Sequence, residues 1–229
     1  MINWIIDNYK RIFTNIFMFF SYFIYEILFI YLLYRFRINY YEFSFSKKVL
    51  TIFIMNLIYQ VFLIIVYRKE LKKDLIDFKK NFKKYIKSNF SLYILGVLLM
   101  GFSNYIIQNF TGSTISGNES SIRKLIETAP IYMIYSTIIY APIVEEIIFR
   151  KSVKNVFNNK YLFIIISGVI FGVLHISDFY NINEILLGIP YIIMGLDLAY
   201  IYLRTNNIYT TILFHSFHNF ILLLIQFIL

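Results

Sequence analysis

About seven stretches of roughly 20 mostly apolar residues leave this chain few folds to choose from. They run near Ile12–Tyr34, Val49–Tyr67, Phe90–Phe110, Pro130–Phe149, Leu162–Ser177, Ile185–Leu203 and Ile208–Leu229. A run of that length crosses the hydrocarbon layer as a helix, because lipid offers backbone polar groups no partner outside the segment. Composition agrees: 59% of the 229 residues are hydrophobic and 15% charged, where a soluble domain has about half and a quarter. The expectation is an all-α, polytopic integral membrane helix bundle of about seven transmembrane helices, with one interfacial amphipathic helix. No repeat or linker interrupts the chain, so residues 1–229 read as one membrane-embedded domain.

There are no cysteines, which excludes a disulfide framework, a thiolate zinc site and a cysteine nucleophile. Lys10 and Arg11 precede the first apolar run. That run is longer than the apolar core of a signal peptide, and no small-residue cleavage site follows, so it reads as a retained span.

The segment Arg68–Lys87 has a different pattern. Leu71, Leu75, Phe78, Phe82 and Ile86 fall on one helical stripe, with Lys72, Lys73, Lys79, Lys80, Lys83, Lys84 and Lys87 off it. This predicts a helix lying in the interface, apolar face in lipid and lysines toward anionic headgroups. The net charge of +9 then reflects cytoplasmic loops, and nucleic acid is not expected as a partner. Counting spans outward from a cytoplasmic Arg68–Lys87 puts the N-terminus and Arg150–Lys160 in the cytoplasm. Thr111–Ser121 and the loop with Asp178 and Glu184 fall outside. The loop 35–48, with Arg35, Arg37, Lys47 and Lys48, runs against this count.

Ionisable residues within spans are costly and mark functional positions. The groups of such residues that make chemical sense together gather in three late helices. The first group is Glu145 and Glu146 after Pro142, with Arg150 one turn on. Glu146 and Arg150 share a face and can pair, while Glu145 points about 100° away. Pro142 removes a backbone donor and is expected to kink the helix just before them. Taken singly, this group also suits a solvated helix end. The second group is Phe171 to His175, where Gly172 reads as a packing residue and a lone histidine as interhelical glue. The third is His215 with Asn219 four residues on, and His218 beside them. Asn158, Asn159 and Lys160 form a plausible turn. Helices running close to it on both sides would bring Glu145 and His175 to similar depth, roughly 20 Å from the turn.

Glu145-Glu146-x-x-x-Arg150, Phe171-x-x-x-His175 and His215-x-x-x-Asn219 together resemble the CAAX-protease and bacteriocin-processing (Abi) family of intramembrane endopeptidases. The resemblance covers a core of about residues 129–220. Lys151, where many members have a small residue, and His218 depart from the pattern without removing a motif residue. The resemblance implies a multi-pass cell-membrane enzyme that hydrolyses membrane-anchored peptides or proteins. Glu145 would then be the general base on water and His175 would help hold that water. His215 and Asn219 would stabilise the oxyanion, and Glu146 and Arg150 would form a supporting pair. A metal reading stands beside it: Glu145, His175 and His215 could ligate zinc with a fourth position open to water. The local H-E-x-x-H signature is absent. A bacteriocin self-immunity protein of the same family and an ion- or proton-coupled transporter are the other two readings.

Overall fold

The computed structural model describes residues 2–112 and 115–228. Positions 113–114 of the polar stretch predicted outside, and Leu229 of the last predicted span, lie beyond the described residues. Those residues form helices and no strand. Helix α1 spans Ile2–Arg35, α2 Phe45–Val66, α3 Arg68–Thr111 and α4 Gly117–Thr128. A continuous helix, α5, covers Pro130–Val156. It is followed by α6 (Lys160–Val173), α7 (Ile182–Leu187), α8 (Ile189–Thr205) and α9 (Ile208–Ile228). Among the described residues six helical segments are long and apolar enough to cross a membrane, and α6 is a shorter apolar helix. The chain is a multi-pass, all-α membrane protein.

One expectation changes. The basic segment is helical but is not a separate interfacial helix: it runs without a break into the following span as the 44-residue α3. At 1.5 Å per residue that is about 66 Å, roughly twice the hydrocarbon thickness. The reason is local. No Gly or Pro occurs between Arg68 and Leu95, and the segment is rich in Lys and Leu, which favour helix. The helix stops only at Gly112, whose φ of +68° supplies the left-handed cap. Part of the apolar stripe also meets protein: Leu71 is buried, and the Phe78 ring lies 6.0 Å from that of Tyr209.

Side-chain bridges sort the loops to two ends. At one end, Lys151 pairs with Asp74. There the Asn207 amide donates to the Asp74 carbonyl and the Asp77 carboxylate. Tyr67 and Asn155 both reach Asn15 at the same end. At the other end, the Gly117 amide donates to Glu184 at 2.9 Å. The segment of α7 and α8 is the most enclosed of the six, with half of its apolar stretch buried against 11% for α1. Helix α8 packs tightly on α6 through glycines. A methyl added at Gly168 would meet Leu196, and one at Gly172 would meet Ile192. Gly172 is thus the packing residue that its setting predicts. The predicted turn also forms: the Asn159 side chain caps α6 by accepting from the Tyr161 and Leu162 amides.

Candidate active site

The carboxylates sit where α5 departs from regular geometry. Two wide-turn stretches, Tyr135–Tyr140 and Glu146–Ser152, flank Pro142. Bonding there runs from i to i+5, an arrangement frequent at functional sites, and it accommodates the missing Pro142 donor without a sharp break. All seven residues of Glu146–Ser152 are buried, so polar groups in this stretch must find partners within the protein.

Glu146 does so with both oxygens, and Arg150 with Nε and Nη1, while its Nη2 is buried without a hydrogen-bond partner among the described residues. Both side chains are fully buried, and the Arg150 Nε donates to Glu146 Oε2 at 3.1 Å. The other carboxylate oxygen, Oε1, accepts from His215 Nδ1 at 3.0 Å. Arg150 Nη1 donates to the Ser167 hydroxyl at 2.7 Å, and that hydroxyl donates to the Phe149 carbonyl. The guanidinium lies 4.8 Å from the centre of the Phe171 ring, a cation–π contact. One carboxylate thereby orients both the arginine and the His215 ring.

Glu145 has the opposite environment. It lines a cavity of about 540 Å³ shared with His175, His215, His218, Asn219 and Tyr191. Its Oε2 is buried and has no hydrogen-bond partner among the described residues. That oxygen stands 3.9 Å from His215 Nε2, too far for a direct hydrogen bond.

His175 lies differently from expectation. It is not inside a helix but in the tight turn that follows Val173, with its amide bonded to the Gly172 carbonyl. That shortened bond leaves the Phe171 carbonyl free, and His175 Nδ1 takes it at 2.9 Å. A carbonyl can only accept, so Nδ1 carries the proton and Nε2 is left with its lone pair. The chain turns here because Asp178 builds a local turn, its carboxylate accepting from the Tyr180 amide.

Asn219 shares a face of α9 with His215, and both line the cavity. One Asn219 amide hydrogen is given to the Thr137 carbonyl at 2.8 Å. The second is not engaged in that bond. Among the described residues no three of His, Asp and Glu stand close enough to hold a metal ion. The Glu145, His175 and His215 set as placed therefore does not form a zinc site.

Lys151 has a structural explanation. Nearly buried, it pairs with Asp74 at 2.6 Å and with Glu70 at 3.4 Å. These carboxylates on α3 compensate a charge that α5 could not bury alone. Other polar and aromatic residues surround the site. Asp197 and Glu26 also lie in apolar runs. Asp197 is buried with one oxygen unpartnered, while Glu26 accepts from Tyr25. Ser167 and the Phe171 ring contact Arg150, and Tyr191 contacts His175. An aspartate inside Ile185–Leu203 was a readable signal. The positions of Ser167 and Tyr191 depend on helix packing and were not.

Glu145, three imidazoles and the Asn219 amide line one cavity, an arrangement open to more than one class of polytopic membrane protein. Comparison with known proteins narrows the choice. Residues 127–221 match the model of type II CAAX prenyl endopeptidase Rce1-like proteins. Over 114 residues the chain is 35% identical to the candidate membrane peptidase YdiL of Bacillus subtilis, covering 48% of this chain and 43% of that one. A Mycoplasma capricolum protein is 42% identical over 101 residues, 41% of this chain and 28% of its own. The UPF0177 protein YbdI of Lactococcus lactis is 24% identical over 157 residues, covering 65% and 83%. The matches to the first two span less than half of those relatives. No solved structure matches. Through residues 127–221 the chain is similar to type II CAAX prenyl endopeptidases.

Proposed function

We propose that the protein is an intramembrane endopeptidase that hydrolyses peptide bonds of membrane-anchored peptides with a glutamate-activated water. The observation that carries this reading is the buried, unpartnered oxygen of Glu145, a residue that lines the cavity, 3.9 Å from His215 Nε2. A buried polar atom without a partner costs about 1–3 kcal/mol, and a water bound there would satisfy it.

In this reading the water donates one hydrogen bond to Glu145 and another to the His175 Nε2 lone pair. Glu145 takes a proton as the water oxygen attacks the peptide carbonyl carbon. The carbonyl oxygen gains the negative charge; the Asn219 amide hydrogen not given to Thr137 stabilises it, and so does His215, whose ring must then carry both protons, Nδ1–H on Glu146 and Nε2–H toward the oxyanion. Collapse of the intermediate breaks the C–N bond, and the proton held by Glu145 passes to the leaving amine. Glu146 and Arg150 hold the His215 ring without touching substrate. The match to type II CAAX prenyl endopeptidases makes a prenyl-anchored C-terminal peptide the first substrate class to try. The lysine-rich start of α3 is assigned to the cytoplasmic side, which accessibility labelling at Lys79 in intact cells would contradict by modifying it from outside.

The test uses purified protein in lipid vesicles with two quenched fluorescent peptides, one farnesyl-anchored and one with a transmembrane anchor. Cleavage of either, lost in His215→Asn, is expected. Proton uptake by vesicles that cleave neither peptide would replace this reading with that of a transporter.

A further inference from the structure

The orientation of His175 is set partly from outside the three motifs. The residue stands in a turn rather than a helix, so neighbouring helix turns do not restrain its ring. One nitrogen is anchored, Nδ1 on the Phe171 carbonyl, but a single hydrogen bond leaves the ring free to swing about it. Two aromatic rings close that freedom. Phe171 lies at 5.0 Å, tilted by 40°. Tyr191 lies at 4.2 Å and nearly parallel, at 15°. Tyr191 belongs to the first turn of α8, in the most enclosed segment. Its hydroxyl interacts in turn with the Asn118 and Ser116 side chains at the start of α4. That start is fastened by the Gly117 amide to Glu184.

We propose that Tyr191 is a positioning residue that fixes the His175 imidazole by stacking, so that Nε2 faces the cavity, while Ser116 and Asn118 at the start of the short helix α4 hold Tyr191 itself. The proposal rests on the peptidase reading for its catalytic consequence, but not for its structural one. The helix that covers part of the cavity and the imidazole inside it are then joined through one ring. A substrate that displaces α4 would loosen His175, and one that seats α4 would tighten it.

Histidine NMR tests the structural claim without any substrate. The protein is labelled at its three histidines, and the His175 signal is identified by its loss in His175→Asn. The parent should show the Nδ1-protonated tautomer, with ring protons shifted upfield by the stacked ring. Tyr191→Phe should keep both features. Tyr191→Leu, or Tyr191→Met if the leucine variant does not accumulate, should lose the upfield shift and average the two tautomers. An unchanged His175 signal in the leucine or methionine variant overturns the proposal.

Kinetics on the anchored peptides test the consequence. Since small misplacements of a reacting group are costly, Tyr191→Leu should lower kcat by about tenfold or more with KM within about threefold, and Tyr191→Phe should recover it. If Tyr191→Leu keeps the parent kcat while Glu145→Gln is inactive, the positioning role fails and the peptidase reading stands. If Glu145→Gln is as active as the parent, the peptidase reading fails and the NMR result alone decides the stacking.

Discussion

Two sides of one helix meet opposite fates in α5. On the closed side, Glu146 is fully buried and both of its oxygens are engaged, one by Arg150 and one by His215. On the open side, one residue earlier, Glu145 faces a cavity of about 540 Å³ with an unpartnered oxygen. The two carboxylates differ by about 100° of helical rotation and by nothing in covalent chemistry. The difference teaches that adjacency in sequence conceals a division of labour. A satisfied buried network gives rigidity, and an unsatisfied group beside it holds the capacity to bind or react. His215 joins the sides, with Nδ1 on the closed network and Nε2 toward the open one.

The largest expected effect on stability comes from breaking the closed side. Glu146→Ala leaves the Arg150 guanidinium fully buried without its carboxylate, which should cost roughly 3–5 kcal/mol. Poor accumulation and a lowered melting temperature in detergent would register it. A variant as stable as the parent would show that the Phe171 ring and Ser167 suffice for Arg150.

Next comes the end of α5, where Lys151 meets α3. Asp74→Ala removes the 2.6 Å partner but leaves Glu70 at 3.4 Å, whose side chain is 47% exposed. The cost should be smaller, roughly 1–3 kcal/mol, and Lys151→Met in the Asp74→Ala background should recover part of it. If the double variant is no more stable than Asp74→Ala, Lys151 is not strained by losing its partner.

The smallest effect is expected at α4. The Arg123–Glu119 pair is half-exposed on the arginine side, and such pairs contribute about 0–1 kcal/mol. Arg123→Ala should therefore shift the melting temperature far less than either change above. A loss comparable to Glu146→Ala would mean that α4 is fastened through this pair rather than through Gly117 and Tyr191.

The sequence made some of this legible and hid the rest for physical reasons. The Glu146–Arg150 pair was readable because side chains four apart on a helix meet whatever surrounds them. The Asn159 turn was readable because a cap acts on its own backbone. The membrane class was readable from the length of the apolar runs. The continuity of α3 was obscured because an amphipathic stripe looks alike against lipid and against protein. His175 was placed in a helix because its apolar neighbours suggest one, whereas the chain leaves the helix after Val173. The stacking of Tyr191 on His175 brings together residues 16 positions apart on different elements, and no spacing rule announces such a contact. Lys151 illustrates the same limit: its compensating carboxylate lies 77 residues away on α3.

The central claim is that Glu145 and Glu146 differ in kind, one reactive and one structural. Its most direct test measures Glu145→Gln in lipid vesicles for both melting temperature and cleavage of an anchored peptide. The account predicts a melting temperature close to the parent's and a cleavage rate lower by roughly 10²–10⁴-fold, the usual contribution of a general base. A Glu145→Gln protein that cleaves the peptide at the parent's rate would contradict it.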